Sequence, residues 1–251
     1  MKVSVVTPTY NRERFLPAFY AMFGAQTHPE LELLVGDDSP APSAFFTGVR
    51  DVRVRYTHWT ARMSIGEKRN RLIEQATGEV IVAFDDDDYY APHYVATMVQ
   101  ALGDADLVKL AGWYAYSVPE QALFYWDTSV NHAMHFKVGN GPMAMVSANQ
   151  FGPDFVVQNS NGYGFSYVFR RSVYGAVRFP DLTLGEDGAF ANALRRSGRR
   201  IVHMQDRDVS VVHLLHGRTT SMAFPQYRLP PGLEQRLFPG LAAHLAHAKA
   251  R

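Results

Sequence analysis

Strand-like and helix-like segments alternate through the first hundred residues, and this alternation constrains the fold more than any other feature. Apolar, β-branched runs at residues 2–8, 31–39, 51–58 and 80–84 are typical of strands. The last of these runs is apolar throughout, as a central strand covered on both faces should be. The pattern predicts an α/β fold with a mostly parallel central sheet, right-handed crossovers and flanking helices.

The segments between these strands carry helix signals. Apolar side chains recur at helical spacing in the segment that begins near Phe15, where Pro17 predicts a late start or a bend. Ser64 followed by Glu67 forms a capping box at the start of a second helix. Pro92 suits the first turn of a third helix.

The pattern changes near residue 105. Two aromatic-rich segments around Pro119 and Glu120 are typical of antiparallel strands. Residues 139–164 are rich in Gly, Asn and Ser, which predicts long loops. Residues 185–198 then read as a helix, and two more strands follow it.

The C-terminal segment places four leucines four residues apart, at Leu233, Leu237, Leu241 and Leu245. This stripe predicts packing against the body of the protein or against a homodimer mate. A helix lying on a membrane surface is the alternative.

Composition excludes several classes of protein. The 251 residues are 47% hydrophobic and 20% charged, which is enough to bury a full core. A formal net charge of +1 gives no reason to expect nucleic acid as a partner. The absence of cysteine excludes disulfides, thiolate metal sites and a cysteine nucleophile. With no signal peptide and no apolar run of the roughly 18 residues that span a bilayer, we expect a cytoplasmic protein whose membrane contact is at most peripheral.

Polar segments follow three of the expected strands where each strand ends. They read TPTYN after the first strand, DDS after the second and DDDD after the fourth. Ligands of parallel α/β sheets bind beyond the carboxyl ends of strands, so these segments are expected to share one site. Taken alone, Asp37 and Asp38 would be turn formers.

Four consecutive carboxylates, Asp85 to Asp88, repel one another unless something offsets the repulsion. In an extended segment, Asp85 and Asp87 would share one side and Asp86 and Asp88 the other. Carboxylate oxygens are the ligands that Mg²⁺ and Mn²⁺ prefer, and a cation would relieve the repulsion. Capping of the next helix explains one aspartate, such as Asp88, but not four. The pattern therefore predicts a metal site.

Four motifs in order and spacing resemble those of family 2 glycosyltransferases with the GT-A fold. They read VSVVTPTYNRERFL, ELLVGDDS, GEKRNRLIEQATGEVIVAFDDDDYYAP and LGEDGAF. The resemblance implies a GT-A, Rossmann-like sheet with a small antiparallel region on the acceptor side. Residues 1–104 would bind the nucleotide sugar, residues 105–222 would bind the acceptor and supply the catalytic base, and residues 223–251 would form a C-terminal tail or helix.

The resemblance also implies a nucleotide site built from strand ends and basic residues. Its members are Pro8, Thr9 and Tyr10 around the nucleoside, Asp37 or Asp38 on the base, Arg69 near the nucleotide, Asp85 or Asp86 towards the ribose or sugar, and Arg218 on the diphosphate.

For the metal, the resemblance implies Mn²⁺ or Mg²⁺ held by Asp87, with Asp85 beside it. His216 is the expected histidine ligand, ahead of His213, which strand alternation places in the core.

The GEDGAF motif carries the expected chemistry. By resemblance, Asp187 is the general base that takes the proton from the acceptor hydroxyl, and Glu186 orients or contacts the acceptor. The alternative is that both acids cap the helix that follows.

The expected function is therefore metal-dependent, inverting transfer of a sugar from a nucleoside diphosphate sugar, with UDP as the expected nucleotide. The acceptor would be a glycan, a lipid-linked molecule or a small molecule. A sugar-phosphate nucleotidyltransferase is the first alternative, although the first strand lacks the glycine-rich loop that such enzymes carry. A non-catalytic module that binds nucleotide sugars or glycans is the second.

Overall fold

The computed structural model describes residues 1–139, 141–217, 219 and 221–249. Its strands are β1 Val3–Thr9, β2 Leu31–Asp37, β3 Val54–His58, β4 Val80–Ala83, β5 Tyr89–Tyr90, β6 Leu107–Ser117, β7 Ala122–Asp127, β8 Met134–Lys137, β9 Ala144–Ser147, β10 Val168–Arg170, β11 Ile201–Gln205, β12 Val211–Leu215 and β13 Tyr227–Arg228. Its α-helices are α1 Leu16–Gly24, α2 Ala44–Gly48, α3 Ile65–Gln75, α4 Tyr94–Leu102, α5 Phe155–Asn161, α6 Glu186–Arg196, α7 Leu233–Leu237 and α8 Leu241–Lys249.

The central sheet is parallel on its N-terminal side. Its main strand order is β13-β7-β6-β10-β4-β1-β2-β3, and the pairings among β4, β1, β2 and β3 are all parallel. Val3 pairs with Leu31 on one side and with Val80 on the other. The predicted α/β class with a parallel sheet and flanking helices is confirmed, and the carboxyl ends of β1, β2 and β4 lie at one edge.

The strand β10 runs in the opposite direction to its neighbours, because it pairs antiparallel with both β4 and β6. β6 and β7 then form the antiparallel hairpin predicted around Pro119 and Glu120. β11 and β12 run parallel to β6 and extend the sheet further. β8 and β9 form a separate two-stranded sheet.

Helix starts follow the local signals. Pro17 lies in the first turn of α1, so the helix begins late, as predicted. The Ser64 side chain accepts a hydrogen bond from the backbone N–H of Glu67 at 3.0 Å and caps α3. Pro92 lies two residues before α4 rather than inside its first turn.

The prediction of long loops at residues 139–164 is wrong in part. These residues contain β9 and α5, and Phe155, at the start of α5, stacks on Phe151 at 3.9 Å, and both rings pack against Phe224. The C-terminal leucines lie on two helices, because Pro239 and Gly240 separate α7 from α8.

The C-terminal segment nevertheless packs against the body of the protein. Leu241 and Leu245 of α8 are buried in the same apolar cluster as Val3 of β1 and Phe15 before α1. This packing brings the end of the described chain close to the carboxyl edge of the sheet. None of the described helices is long and apolar enough to cross a bilayer.

Candidate active site

A cavity of about 1300 Å³ opens at the carboxyl edge of the sheet, between the ends of β1 and β4 and the start of α6. Several predicted site residues line it together: Pro8, Thr9, Tyr10, Arg69, Asp85, Asp86, Asp87, Glu186 and Asp187. Arg218 lies outside the described residues. The sequence motifs therefore converge on one place although they are up to about 180 residues apart in the chain.

The four aspartates form a turn rather than an extended segment. β4 ends at Ala83, and Asp85, Asp86 and Asp87 all line the cavity, whereas Asp88 is fully buried. The expected alternation of sides is therefore wrong, because the chain leaves the strand before the first aspartate and period-two geometry no longer applies.

Positively charged side chains offset the repulsion among these acids. The Arg12 guanidinium lies 3.2 Å from Asp87 and 3.7 Å from Asp86, and Arg69 lies 3.4 Å from Asp85. Burial opposes ionisation of Asp87, but the hydrogen bond from His216 and the charge of Arg12 hold its pKa at about 2. Burial and the charge of Asp87 raise the pKa of Asp86 well above its usual range. Charge in the cluster is therefore concentrated on Asp87.

Asp88 does not cap α4, as the helix-capping alternative would require. Its carboxylate accepts from the backbone N–H of Leu214 at 2.8 Å and lies 2.8 Å from Nδ1 of His213. Burial raises the pKa of Asp88 to about 7. The fourth aspartate thus ties the turn to β12.

The two histidines of the VVHLLHG segment, His213 and His216, contact different aspartates. His216 Nε2 lies 2.9 Å from Oδ2 of Asp87, and its ring stacks on Phe15. His213 contacts Asp88 and also lines the cavity, so it is not confined to the core as strand alternation suggested. His244 of α8 donates through Nε2 to the backbone carbonyl of Asp87 at 2.9 Å.

The carboxylate and imidazole at Asp87 and His216 fit a divalent cation. Among the residues the structure describes, no group of three or more His, Asp or Glu side chains is arranged to hold a metal. Two protein ligands are sufficient, however, because Mg²⁺ keeps several waters and binds substrate phosphates, and Mn²⁺ accepts carboxylate and imidazole donors. Oδ2 of Asp87 and Nε2 of His216 lie 2.9 Å apart, and they are the carboxylate and imidazole donors that such a cation would use in place of the hydrogen bond between them.

Tyr10, which follows β1, and Arg62 lie together on one side of the cavity. The Arg62 guanidinium lies 3.6 Å from the centre of the Tyr10 ring and pairs with Asp38. Lys68 donates to Asp38 at 2.7 Å, and both cations line the cavity. Asp37 instead accepts from Ser39 and from the Tyr56 hydroxyl at 2.7 Å. Of the two acids, Asp38 is the one linked to cavity side chains.

Asp187 lies in the first turn of α6, and hydrogen bonds orient both of its carboxylate oxygens. Oδ2 accepts from the backbone N–H of Gly164 at 2.7 Å, and Oδ1 accepts from that of Gly188 at 2.6 Å. The bond to Gly188 lies within the first turn of α6, whose N-cap is Gly185, so it is not the N-cap bond of the alternative, and the bond to Gly164 comes from a distant loop. The carboxylate therefore has a fixed direction while it lines the cavity.

Glu186, the neighbour of Asp187, is paired with Arg69. Its Oε1 lies 3.5 Å from Nε of Arg69, and the side chain is buried. Burial raises the pKa of Glu186 to about 7, although the Arg69 charge favours the ionised form. Arg69 thus bridges Asp85 at the end of β4 and Glu186 on α6.

Sequence reasoning missed several site residues: Arg12, Arg62, Lys68 and His244. Arg12 follows the TPTYN segment directly, so its position carried a readable signal. Arg62, Lys68 and His244 become visible only through tertiary contacts.

Comparison with known proteins identifies the family. The model of Glycosyl transferase family 2 matches residues 4–152, which is more than half of the chain. The glycosyltransferase GlyG of Streptococcus pneumoniae is 28% identical over 133 residues, covering 50% of this chain and 44% of GlyG. The chain thus spans less than half the length of that relative.

Solved structures share the fold. S. aureus TarS 1–349 in complex with UDP-GlcNAc matches with a TM-score of 0.61 at 18% identity, covering 100% of this chain and 68% of that one. The mannosyltransferase PcManGT from Pyrobaculum calidifontis, in complex with GDP-Man and Mn²⁺, matches with a TM-score of 0.58 at 18% identity, covering 98% and 62%. At these identities the likeness shows the fold alone, and it confirms the predicted GT-A architecture. With the family match, it follows that this chain belongs to glycosyl transferase family 2.

Proposed function

We propose that this chain is a metal-dependent, inverting glycosyltransferase that moves a sugar from a nucleoside diphosphate sugar, with UDP as the nucleotide, to an acceptor hydroxyl. The observation that carries the proposal is that Asp187 and the carboxylates at the end of β4 line the same cavity of about 1300 Å³. Residues 1–104 would bind the donor, and residues 105–222 would bind the acceptor and supply the base.

Donor binding would use the flat ring of Tyr10 and the charges around it. A nucleobase can stack on an aromatic ring, and Asp38 is the acid we propose for the base side, because it pairs with Arg62 and Lys68, which line the cavity. Arg12 and Arg69 lie among the carboxylates where a diphosphate would enter, and they supply positive charge. Arg218 is proposed for the diphosphate from sequence alone.

The cation would be Mn²⁺ or Mg²⁺, held by Asp87 and His216 with Asp85 nearby. When bound, it would neutralise charge that develops on the departing nucleoside diphosphate. The carboxylate of Asp87 is kept ionised by its neighbours and is therefore ready to bind the cation.

Asp187 would act as the general base. The N–H groups of Gly164 and Gly188 orient its carboxylate, which would take the proton from the acceptor hydroxyl. The acceptor oxygen would form a bond to the anomeric carbon as the bond to the diphosphate oxygen breaks, so the anomeric centre inverts. Glu186 would contact the acceptor from its position beside Arg69.

The solved structures of relatives give more support to a nucleotide-sugar donor than to a metal ion. The TarS and PcManGT structures contain UDP-GlcNAc and GDP-Man respectively, and the second contains Mn²⁺. The choice of UDP, the acceptor class, a homodimer and peripheral contact with a membrane are predictions. Family membership argues against the nucleotidyltransferase and against the non-catalytic binding module.

A thermal-shift panel tests donor and metal together. UDP-, GDP- and TDP-sugars are added with and without Mn²⁺ to the wild-type chain, to Asp87→Asn and to Asp104→Asn, whose exposed side chain makes it the matched control. One donor should raise the Tm of the wild type and the control in a metal-dependent way, and Asp87→Asn should lose that rise. The absence of any metal-dependent rise would contradict the proposal.

Product analysis separates the alternatives. With donor and acceptor present, a glycosyltransferase releases nucleoside diphosphate. A nucleotidyltransferase would instead release pyrophosphate from a nucleoside triphosphate and a sugar phosphate, and a binding module would release neither.

A further inference from the structure

Lys109 places a buried positive charge in the middle of the sheet. The side chain belongs to β6 and is 0% exposed. Its ammonium donates to the backbone carbonyl of Gly162 at 2.5 Å and forms no ion pair with any described residue. An unpaired buried cation is costly, and an apolar side chain would fill the same place at lower cost. Its presence indicates a role other than packing.

The carbonyl that Lys109 binds belongs to the turn that orients Asp187. Gly162 ends α5, Tyr163 has a left-handed backbone with φ of 65°, and Gly164 donates its N–H to Asp187 at 2.7 Å. A non-glycine residue in this region is strained, so surrounding contacts must hold the turn. Lys109 supplies one such contact from the sheet.

Other contacts join the same turn to α6. A Cβ on Gly164 would lie 2.9 Å from Cβ of Asp187, so the two backbones are in close contact. The Tyr167 hydroxyl lies within hydrogen-bond distance of the backbone carbonyls of Asn161 and, at 3.0 Å, of Asp187. The turn and the first turn of α6 therefore form one unit, and Lys109 joins it to β6.

The charges that face the Lys109 ammonium are few. From β11, His203 lies beside it, and burial together with the Lys109 charge lowers the pKa of His203, so that imidazole is neutral. The Tyr167 ring lies 5.9 Å away. From α6, Asp187 is the carboxylate that acts on the ammonium: burial lowers the pKa of Lys109 to about 7, and Asp187 opposes that shift.

The groups that face Asp187 on its other sides are also defined. Arg69 adds a second positive charge, while Glu186 and Asp85 add negative charge, and the Tyr163 and Tyr167 hydroxyls are neutral. Arg69 itself is paired with Asp85 at 3.4 Å and with Glu186 at 3.5 Å.

We propose that Lys109 is a positioning residue for Asp187: its ammonium fixes the turn at residues 162–164 that donates to the Asp187 carboxylate, and the charges of the two side chains interact across that turn. The inference rests on the proposed function, in which Asp187 takes the acceptor proton. It adds a residue that no motif of the sequence assigns.

Kinetics of Lys109→Met test the inference, with Lys137→Met on the exposed side of β8 as the matched control. We expect kcat to fall at least about tenfold, while the donor KM stays within about twofold. Lys137→Met should match the wild type. A Lys109→Met enzyme with wild-type kcat would overturn the inference, as would a loss confined to KM.

A second measurement requires neither transfer activity nor a stable Lys109 variant. The titration of the Lys109 side chain is followed by NMR in the full-length wild type and in Asp187→Asn. Because the Asp187 charge raises the pKa of Lys109, removing the carboxylate should lower that pKa further. An unchanged titration would overturn the inference even if the enzyme were active. A wild type that transfers no sugar but shows this shift would count against the proposed function alone.

Discussion

At the scale of single residues, Gly164 is held where no side chain fits. An added Cβ would lie 2.9 Å from Cβ of Asp187 and 3.4 Å from the guanidinium of Arg69. Both neighbours belong to the candidate active site, and neither can move without changing a contact described above. The glycine is therefore required by close approach of the backbone to Asp187 rather than by its φ angle.

Gly164→Ala should displace the Asp187 carboxylate. We expect kcat to fall about tenfold to a hundredfold with little change in donor KM, because a misplaced base loses catalytic efficiency while the nucleotide contacts remain. Steady-state kinetics give both values. Gly175→Ala is the control, since its added Cβ meets nothing within 4 Å. Equal kcat values for the two variants would show that the base does not depend on this contact.

Tyr10 is the second residue with a specific expected effect. If the nucleobase stacks on its ring, Tyr10→Ala should raise the donor KM by about tenfold, since base–aromatic stacking is worth roughly 1–3 kcal/mol. Tyr10→Phe keeps the ring and should behave like the wild type. A similar KM for the alanine and phenylalanine variants would place the base elsewhere.

At the scale of secondary-structure elements, Glu32 links β2 to the strands and turn beside it. Its carboxylate accepts from the Ser4 hydroxyl at 2.5 Å and from the Thr77 N–H at 2.6 Å. Burial raises its pKa, but these hydrogen bonds outweigh burial and hold the pKa at about 2. A carboxyl whose pKa is lower in the folded state adds stability above its unfolded pKa of 4.5 and loses it as the pH falls towards 2.

Glu32→Gln should therefore destabilise the fold in a pH-dependent way. We expect a loss of about 1–3 kcal/mol in the free energy of unfolding at pH 7, because hydrogen bonds to a charged group are removed. The difference from the wild type should shrink below pH 4.5 and disappear near pH 2. Urea unfolding across this range measures it, with exposed Glu79→Gln as control. A pH-independent difference would mean that ionisation of Glu32 is not the source of the lost stability.

Local signals predicted elements well where they act within a few residues. The cap at Ser64 and the late start at Pro17 were readable because each depends on near neighbours in the chain. Helix α5 was not readable from the local sequence, because it depends on Phe151 stacking on Phe155 and packing against Phe224. The turn of the aspartates was missed for a similar reason: bonds from β12 and α8 fix it.

At the scale of the whole molecule, the candidate site joins segments from both ends of the chain. Arg12, His216 and His244 lie far apart in sequence, yet all three contact Asp87 in the same turn. The motifs predicted that strand ends and α6 converge, because parallel sheet topology requires it. They could not predict His244, since nothing local indicates where α8 packs.

Replacing His244 should weaken metal-dependent donor binding through its contact with Asp87. Its Nε2 donates to the Asp87 carbonyl, and its ring lies near Phe15, on which His216 also stacks. We expect His244→Ala to weaken metal-dependent donor binding several-fold, because the proposed ligand loses a support that fixes its backbone. Calorimetric titration with and without Mn²⁺ measures this change. Unaltered metal-dependent affinity would show that α8 has only a packing role.

The central claim is that Asp187 takes the acceptor proton in the cavity that binds the donor. The most direct test compares sugar transfer with donor binding in the wild type and in Asp187→Asn, which keeps the size of the side chain. We expect transfer to fall by about 10²- to 10⁴-fold while the donor Kd stays within a few-fold. Near-normal transfer by Asp187→Asn, with the donor bound as in the wild type, would contradict the account.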